Sequence, residues 1–244
     1  EKQRMQQELD VAQGIQRGLL PETVPAYDGF DIAVLNEPYL TVGGDYYDFL
    51  SLGPQTLLIV VADVQGKGVS SALVMSNLQA TLRTLINHLH SLERIAESLN
   101  RMILEHTRGE RYLSMFLGMI DTGRKKIHYI NCGHVPPLLI REGADPLALS
   151  EGGTVIGLFE DMRYERGQQS LQTGDLLLLC TDGITESMNA KEEEYGSDRM
   201  VQMARQSRTE ESQQIVDRIG ADVGEFSRHG TLHDDKVMMV IKVV

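Results

Sequence analysis

Four segments of the sequence place an aspartate at the end of an apolar run or beside a glycine turn. They are Gly43-Gly44-Asp45, Asp63-Val64-Gln65-Gly66, Asp182-Gly183 and Asp234-Asp235. Since the strand ends at one edge of a core lie close together, we expect these carboxylates to converge. Converging carboxylates raise one another's pKa unless a positive charge compensates. Lys67 and Lys236 are the lysine or arginine residues that adjoin these segments.

Divalent cations meet this need for positive charge better than two lysines do. An all-oxygen ligand set favours Mg²⁺ or Mn²⁺ over zinc, and two such ions about 3.5–4 Å apart form a site that cleaves phosphate esters. The bland alternative at each single position is an aspartate that serves only the turn. Ser71, Ser76 and Ser114 lack a nucleophile-elbow sequence, which argues against a serine nucleophile. For His134, a turn histidine that bonds the backbone is favoured over a metal ligand.

The element that organises the chain is Leu57–Gly68, where the apolar run Leu57–Ala62 predicts a buried strand that ends at Asp63. Further strands are predicted over Asp31–Asn36, Tyr46–Leu52, Leu113–Asp121, Lys126–Cys132, Leu138–Arg141, Arg163–Ser170, Asp175–Thr181 and Val237–Val244, with a loop-rich stretch over Gly143–Gly157. Helices are predicted from a Ser70 or Ser71 cap to Leu89, from Ser91 to about Thr107, and over about Ser197–Gln206 and Glu211–His229.

The first twenty residues predict a helix, Glu1–Leu20, with one apolar stripe and a stop at Pro21. Two interpretations stay open: a helix packed on its own domain, or a short coiled coil that enters from an upstream domain. The chain begins at Glu1 and not at Met, so we expect it to be a fragment. We therefore divide it into a linker or switch helix, residues 1–20, and a catalytic domain, residues 21–244.

Composition excludes several classes of function. The net charge of −12 argues against a nucleic-acid surface and favours solubility or a site that collects cations. The sequence has no apolar run of transmembrane length and no signal peptide. Its two cysteines, Cys132 and Cys180, lie in apolar runs, which predicts buried thiols in a reduced, cytoplasmic protein.

Five motifs occur in an order that resembles a known family. They are Val42-Gly43-Gly44-Asp45-Tyr46-Tyr47-Asp48-Phe49, Ala62-Asp63-Val64-Gln65-Gly66-Lys67-Gly68, Asn131-Cys132-Gly133-His134-Val135-Pro136-Pro137, Thr181-Asp182-Gly183-Ile184-Thr185-Glu186 and Asp234-Asp235. Together they resemble the bacterial stress-response and sporulation branch of the PPM (PP2C-type) protein serine/threonine phosphatases. The resemblance covers nearly the whole chain, including the helix that ends Ile15-Gln16-Arg17-Gly18-Leu19-Leu20-Pro21.

This resemblance implies an α+β fold, an αββα sandwich of two antiparallel sheets with helix pairs outside. It implies two Mn²⁺ or Mg²⁺ ions. The residues that match the family's ligands are Asp45, Asp63, the Val64 carbonyl, Asp182 and Asp234. A metal-bridging water would attack phosphorus directly, with no phosphorylated enzyme. The implied substrate is a phosphorylated partner of the anti-anti-sigma type.

Three positions depart from the family's pattern: Gln65 replaces a common Ser, Val135 a common Asn, and Val237 a common Thr. None removes a carboxylate, so we expect metal binding to survive, with Asp234 favoured over Asp235 as the ligand. The alternative function is a non-catalytic or gated docking module in partner-switching signalling. For either function we expect an upstream receiver or sensor domain, and a homodimer through the first helix that switches the site.

Overall fold

The computed structural model of the chain describes residues 1–89, 91–230 and 234–244. Its strands are β1 Phe30–Glu37, β2 Tyr46–Gly53, β3 Thr56–Val64, β4 Leu113–Asp121, β5 Lys126–Cys132, β6 Leu138–Ile140, β7 Leu147–Ala148, β8 Gly152–Gly153, β9 Gly167–Ser170, β10 Leu176–Cys180 and β11 Lys236–Val243. Its helices are α1 Lys2–Arg17, α2 Val69–Leu85, α3 Leu92–Thr107, α4 Asp182–Thr185, α5 Gly196–Gln206 and α6 Ser212–Phe226. His233, just before the final aspartate pair, lies outside the described residues.

The strands form two sheets. One has the order β1-β11-β10-β6-β7, and the other has the order β2-β3-β4-β5-β8 with β9 also paired to β5. The predicted sandwich is confirmed, but the second sheet is mixed, because β8 runs parallel to β5. Between these two strands the chain crosses to the other sheet to form β6 and β7, and it returns in the original direction.

Three apolar clusters hold the layers together. The middle cluster lies between the sheets and includes Leu57, Ile59 and Phe116 on one side and Leu177 and Met239 on the other. The other two clusters pack the sheets against α2 and α3 and against α5 and α6, respectively. Alternate residues of β3 thus serve two different cores, and all residues from 57 to 62 are fully buried. The predicted buried central strand is confirmed.

The predicted start of α2 is wrong. Neither Ser70 nor Ser71 caps the helix, whose N-cap is Gly68. Gly68 has φ of +75°, which lets the chain turn sharply from β3 into the helix, so both serines fall inside the first turn. The Ser71 hydroxyl donates to the Gly68 carbonyl oxygen at 2.9 Å. The predicted start of α3 at Ser91 is confirmed: Ser91 is the N-cap, and its Oγ accepts from the Arg94 N–H.

Other differences concern the ends of elements. The helices α1 and α2 end at Arg17 and Leu85, before the predicted Leu20 and Leu89, because i to i−3 bonds tighten the chain there. Only Gly167–Ser170 of the predicted strand Arg163–Ser170 pairs with β5. The loop-rich stretch Gly143–Gly157 contains the two-residue strands β7 and β8.

Helix α1 projects from the sandwich and has no buried residue. Its last turn touches the domain through Gln16, and the segment after it through Leu19, whose carbonyl oxygen accepts from Gln79 Nε2 at 3.2 Å. Within the described residues, no helix is both long and apolar enough to cross a membrane. Cys132 and Cys180 are buried free thiols, as predicted.

Candidate active site

The two sheets bring the predicted carboxylates to one end of the sandwich. Asp45 immediately precedes β2 and Asp63 is the penultimate residue of β3; because Tyr46 pairs with Ala62, the two carboxylates are neighbours. Asp182 starts α4, two residues after β10 ends at Cys180, and Asp234 lies just before β11, the strand beside β10. Each sheet therefore supplies two of the four predicted carboxylates.

Glycines allow the segments to approach one another. A Cβ on Gly44 would lie 2.9 Å from the Val64 carbonyl oxygen, the main-chain ligand implied by the family resemblance. A Cβ on Gly43 would collide with the Asp235 carboxylate, and one on Gly183 with the Asp235 carbonyl oxygen. The glycines beside the aspartates thus let two backbones and a carboxylate pack at distances that a side chain would prevent.

A hydrogen-bond network joins the two sheets at this end. The Thr181 hydroxyl donates to Asp45 Oδ2 at 2.7 Å and accepts from the Val237 N–H at 3.0 Å. The Asp235 carboxylate accepts from the Tyr39 N–H at 2.8 Å and from the Gly44 N–H at 2.9 Å. These contacts fix Asp45 and its glycine loop against β10 and β11.

Burial and mutual repulsion raise the pKa values of three of the aspartates. Burial raises the pKa of Asp45 well above its usual range, and the Asp63 charge raises it further. Burial, followed by the charges of Asp182 and Asp234, raises the pKa of Asp63 to about 7. Burial and the Asp234 charge also raise the pKa of Asp182. The cluster therefore lacks positive charge, which a divalent cation would supply.

The residues present fit hard divalent cations by their chemistry, since carboxylates and the Val64 carbonyl are all oxygen donors. Across the described residues, no three Asp, Glu, His or Cys side chains stand at ligand spacing. The Lys67 Nζ lies 2.7 Å from Asp234 Oδ2. A cation bound through this oxygen would compete with the ion pair.

The two adjacent aspartates have different surroundings. Asp235 is 8% exposed and both its oxygens accept backbone N–H groups. The Asp234 side chain is 34% exposed; its Oδ2 pairs with the Lys67 ammonium at 2.7 Å, and its Oδ1 accepts from the N–H of the next residue, Asp235, at 3.0 Å. The network therefore uses Asp235 as a brace between loops and leaves Asp234 accessible.

The sequence pattern of the family described as Stage II sporulation protein E (SpoIIE) matches residues 53–244. The chain belongs to the SpoIIE family. The resemblance predicted from the five motifs is thereby confirmed.

A relative in sequence agrees with this membership, and solved structures share the fold. The chain is 28% identical over 186 residues to phosphoserine phosphatase RsbU of Bacillus subtilis, covering 76% of this chain and 55% of that protein. It thus spans about half the length of this curated relative. The SiaA-PP2C domain of Pseudomonas aeruginosa has a TM-score of 0.86 at 21% identity, covering 99% of this chain and 98% of that one. The catalytic domain of the serine/threonine phosphatase PstP, in complex with two manganese ions, has a TM-score of 0.63 at 14% identity, covering 88% and 98%.

Three residues of the site are not predicted from the sequence in the roles they have in the structure. Thr181 precedes Asp182, and only the aspartate is predicted to act; Asp235 is predicted only as the less favoured alternative to Asp234 as a ligand. Gln16 makes a paired contact with the glycine loop: its Nε2 donates to the Gly43 carbonyl oxygen at 2.7 Å and its Oε1 accepts from the Gly43 N–H at 3.1 Å. The sequence does hint at the role of Thr181: its hydroxyl is next to Asp182 in the chain, so it can donate to a second carboxylate of the cluster, which in the structure is Asp45.

His134 is more than the backbone-bonding turn residue predicted. Its N–H donates to Asn131 Oδ1 at 2.7 Å, and its ring Nδ1 lies 2.7 Å from Ser114 Oγ, opposite Asp63 on β4. Burial lowers the pKa of His134 to about 4, so the ring is neutral at pH 7. Ser114 and His134 line the pocket of about 380 Å³ that also contains Asp63, Asp182 and Asp234.

Proposed function

We propose that this domain is a metal-dependent protein phosphatase that hydrolyses phosphoserine or phosphothreonine. The observation that carries the proposal is the convergence of Asp45, Asp63, Asp182 and Asp234 at one end of the sandwich. The pKa values of Asp45, Asp63 and Asp182 are raised, which calls for cations. Membership in the SpoIIE family and the name of the relative RsbU, a phosphoserine phosphatase, support the reaction class.

The ligands we propose are Asp45, Asp63, the Val64 carbonyl, Asp182 and Asp234, for two Mn²⁺ or Mg²⁺ ions. Asp234 is preferred over Asp235 because the latter already accepts two backbone N–H groups. When bound, such cations lower the pKa of an attacking water molecule and offset the negative charge of the phosphoryl group. The PstP structure, which shares the fold, contains two manganese ions, and this supports the choice of two divalent cations.

The chain's own residues orient the ligands and limit the chemistry to water attack. Thr181 holds the Asp45 carboxylate, and Asp235 holds the glycine loop beside it. Ser114 is an unsuitable nucleophile, because among the described residues no carboxylate accepts from the ring of its partner His134; the ring's other interaction is with the backbone of Cys180. We therefore propose in-line attack by water, with the seryl or threonyl oxygen as leaving group and no phosphorylated enzyme.

We propose a phosphorylated protein of the anti-anti-sigma type as substrate, which would place the reaction in the cytoplasm. The support is the branch of phosphatases that the five motifs resemble, together with the similarity to RsbU.

We propose that α1 regulates the site, whether the domain is a phosphatase or a docking module. Met5, Val11 and Ile15 on this helix are 65–67% exposed, which favours a homodimer through α1 below an upstream receiver or sensor domain. The Gln16 contact would transmit a shift of α1 to the glycine loop.

The alternative is a gated or non-catalytic docking module. The Lys67–Asp234 ion pair favours it, since this pair keeps one proposed ligand engaged. Under this alternative the domain binds its phosphorylated partner but hydrolyses nothing until the pair opens.

The deciding experiment is release of p-nitrophenol from p-nitrophenyl phosphate with Mn²⁺, with EDTA, and with Asp63→Asn. We expect activity that requires Mn²⁺ and falls by at least about 100-fold in the variant, because a lost ligand costs at least as much as a lost supporting residue. Asp217→Asn is the matched control, since Asp217 lies on the exposed face of α6, where its Oδ1 accepts from Gln213 Nε2 at 2.8 Å. A folded protein without Mn²⁺-dependent activity would support the docking alternative instead.

A further inference from the structure

An apolar surface lies on the outside of the molecule, beside the carboxylate cluster. It consists of Tyr39, Leu40, Val69 and Leu73, which are 48%, 43%, 49% and 67% exposed. We call these four residues the rim surface. Two belong to the loop between β1 and β2, and two to the first turns of α2.

These side chains are joined to the site through the turn that follows Asp63. Leu40 Cδ1 lies 3.7 Å from the position that a Cβ on Gly68 would take, so the loop packs against the start of α2. The ammonium of Lys67 lies 5.7 Å from the centre of the Tyr39 ring and 2.7 Å from Asp234 Oδ2. The rim surface therefore adjoins the acidic pocket, with Lys67 in contact with both.

The rim surface does not serve the core. Helix α2 packs on its sheet through Met75, Leu78 and Leu82, which are fully buried. Val69 and Leu73, four residues apart, occupy one exposed side of the same helix. Exposing two large aliphatic side chains there is unfavourable in isolation, which is typical of a surface that binds a partner.

The geometry points to one occupant: the substrate polypeptide on either side of its phosphorylated residue. This inference rests on the proposed function. Only a few bonds separate a phosphoserine phosphorus from its own Cα, so a phosphoryl group beside Asp63 and Asp234 draws the substrate backbone onto the mouth of the pocket. The residues flanking the phosphoserine must then contact the rim. We propose that the rim surface binds apolar side chains at these flanking positions.

Charge supports the same occupant. The pocket already holds Asp63, Asp182, Glu186 and Asp234, and the chain carries a net charge of −12. Acidic residues beside the phosphoserine would add repulsion to that of the phosphoryl group itself, whereas apolar residues gain free energy by covering Leu40 and Leu73. The rim surface thus selects sequence context as well as phosphate.

The test uses two synthetic phosphoserine peptides of equal length and charge, with Leu in one and Asn in the other at both flanking positions. The readout is the ratio of kcat/KM for the Leu peptide to that for the Asn peptide, with Mn²⁺ present. We expect a ratio of about five for the unaltered protein, as partial burial of one leucine side chain allows. Leu73→Asn and Leu40→Asn should each lower the ratio toward one.

Leu147→Asn is the control, because Leu147 is also exposed, at 46%, but lies on β7 in the other sheet. It should keep the ratio. Equal rates for the two peptides, or a ratio unchanged by both rim variants, would overturn the proposal. Hydrolysis of p-nitrophenyl phosphate but of neither peptide would overturn it too, while leaving the phosphatase intact. If nothing is hydrolysed, the proposed function fails, and fluorescence anisotropy of the labelled peptides then measures the same preference as a ratio of Kd values.

Discussion

Replacing Gly44 by alanine tests whether the close packing of the two ligand segments is essential. The added Cβ would lie 2.9 Å from the Val64 carbonyl oxygen and 3.0 Å from the Ser71 Cβ. Ordinary contacts begin near 3.4 Å, so the carbonyl or the glycine loop must move by about 0.5 Å. Neither neighbour is the flexible end of a long side chain, so a side-chain rotation cannot relieve the contact and the backbone must shift.

The expected cost has two parts. Overpacking in a well-packed site typically lowers the free energy of unfolding by about 1–3 kcal/mol. Displacement of the Val64 carbonyl should also weaken cation binding. At a Mn²⁺ concentration of about 100 times Kd, bound metal stabilises the fold by about 2.7 kcal/mol, and a tenfold weaker Kd removes about 1.4 kcal/mol of this.

The assay is equilibrium urea unfolding, followed by circular dichroism in EDTA and in Mn²⁺. The control is Gly224→Ala in the exposed interior of α6, where a Cβ meets nothing within 4 Å, and which should stabilise by about 0.5–1 kcal/mol. If Gly44→Ala unfolds within about 0.5 kcal/mol of the unaltered protein and gains as much from Mn²⁺, the packing argument is wrong.

Three more predictions follow from the described contacts. In EDTA, the free energy of unfolding should fall as pH rises from about 4 to 7. The reason is that the pKa of Asp63 is about 7 in the folded state, above its unfolded value of 3.8, so the folded state binds more protons in this range. Asp63→Asn should flatten this dependence on pH, measured by urea unfolding, and an unchanged slope would contradict the assignment. Gln16→Leu removes two hydrogen bonds to the glycine loop and should raise the Mn²⁺ concentration for half-activation about tenfold, whereas Gln6→Leu, on the exposed part of α1, should not; equal effects would refute the link. Arg83→Met breaks a bidentate pair with the fully buried Asp48 carboxylate and should cost about 2–3 kcal/mol in urea unfolding, less than a wholly buried pair since Arg83 is 44% exposed; a loss below about 0.5 kcal/mol would show that the pair is dispensable.

The local chemistry of the sequence was sufficient to predict most of the framework. The short apolar run before Asp63, closed by a glycine turn, predicts a buried strand, and the alternation from Leu113 onward predicts the hairpin of β4 and β5; the structure contains both. The four carboxylates were identified because an aspartate beside a glycine or a strand end is visible in the residues themselves. The helix ends were less accurate, because the conformation of Gly68 depends on where the preceding strand stops.

The division of roles within the site depended on contacts between distant parts of the chain. Asp235 braces Gly44 across 191 residues, and Gln16 reaches Gly43 across 27. Residue types and spacing report which face of an element is buried, but a hydrogen-bond partner depends on sheet register and on how the layers stack. The sequence alone therefore determined the fold class and the carboxylates, while only the tertiary structure decided that Asp235 is a brace, that Lys67 pairs with Asp234, and that an apolar rim borders the pocket.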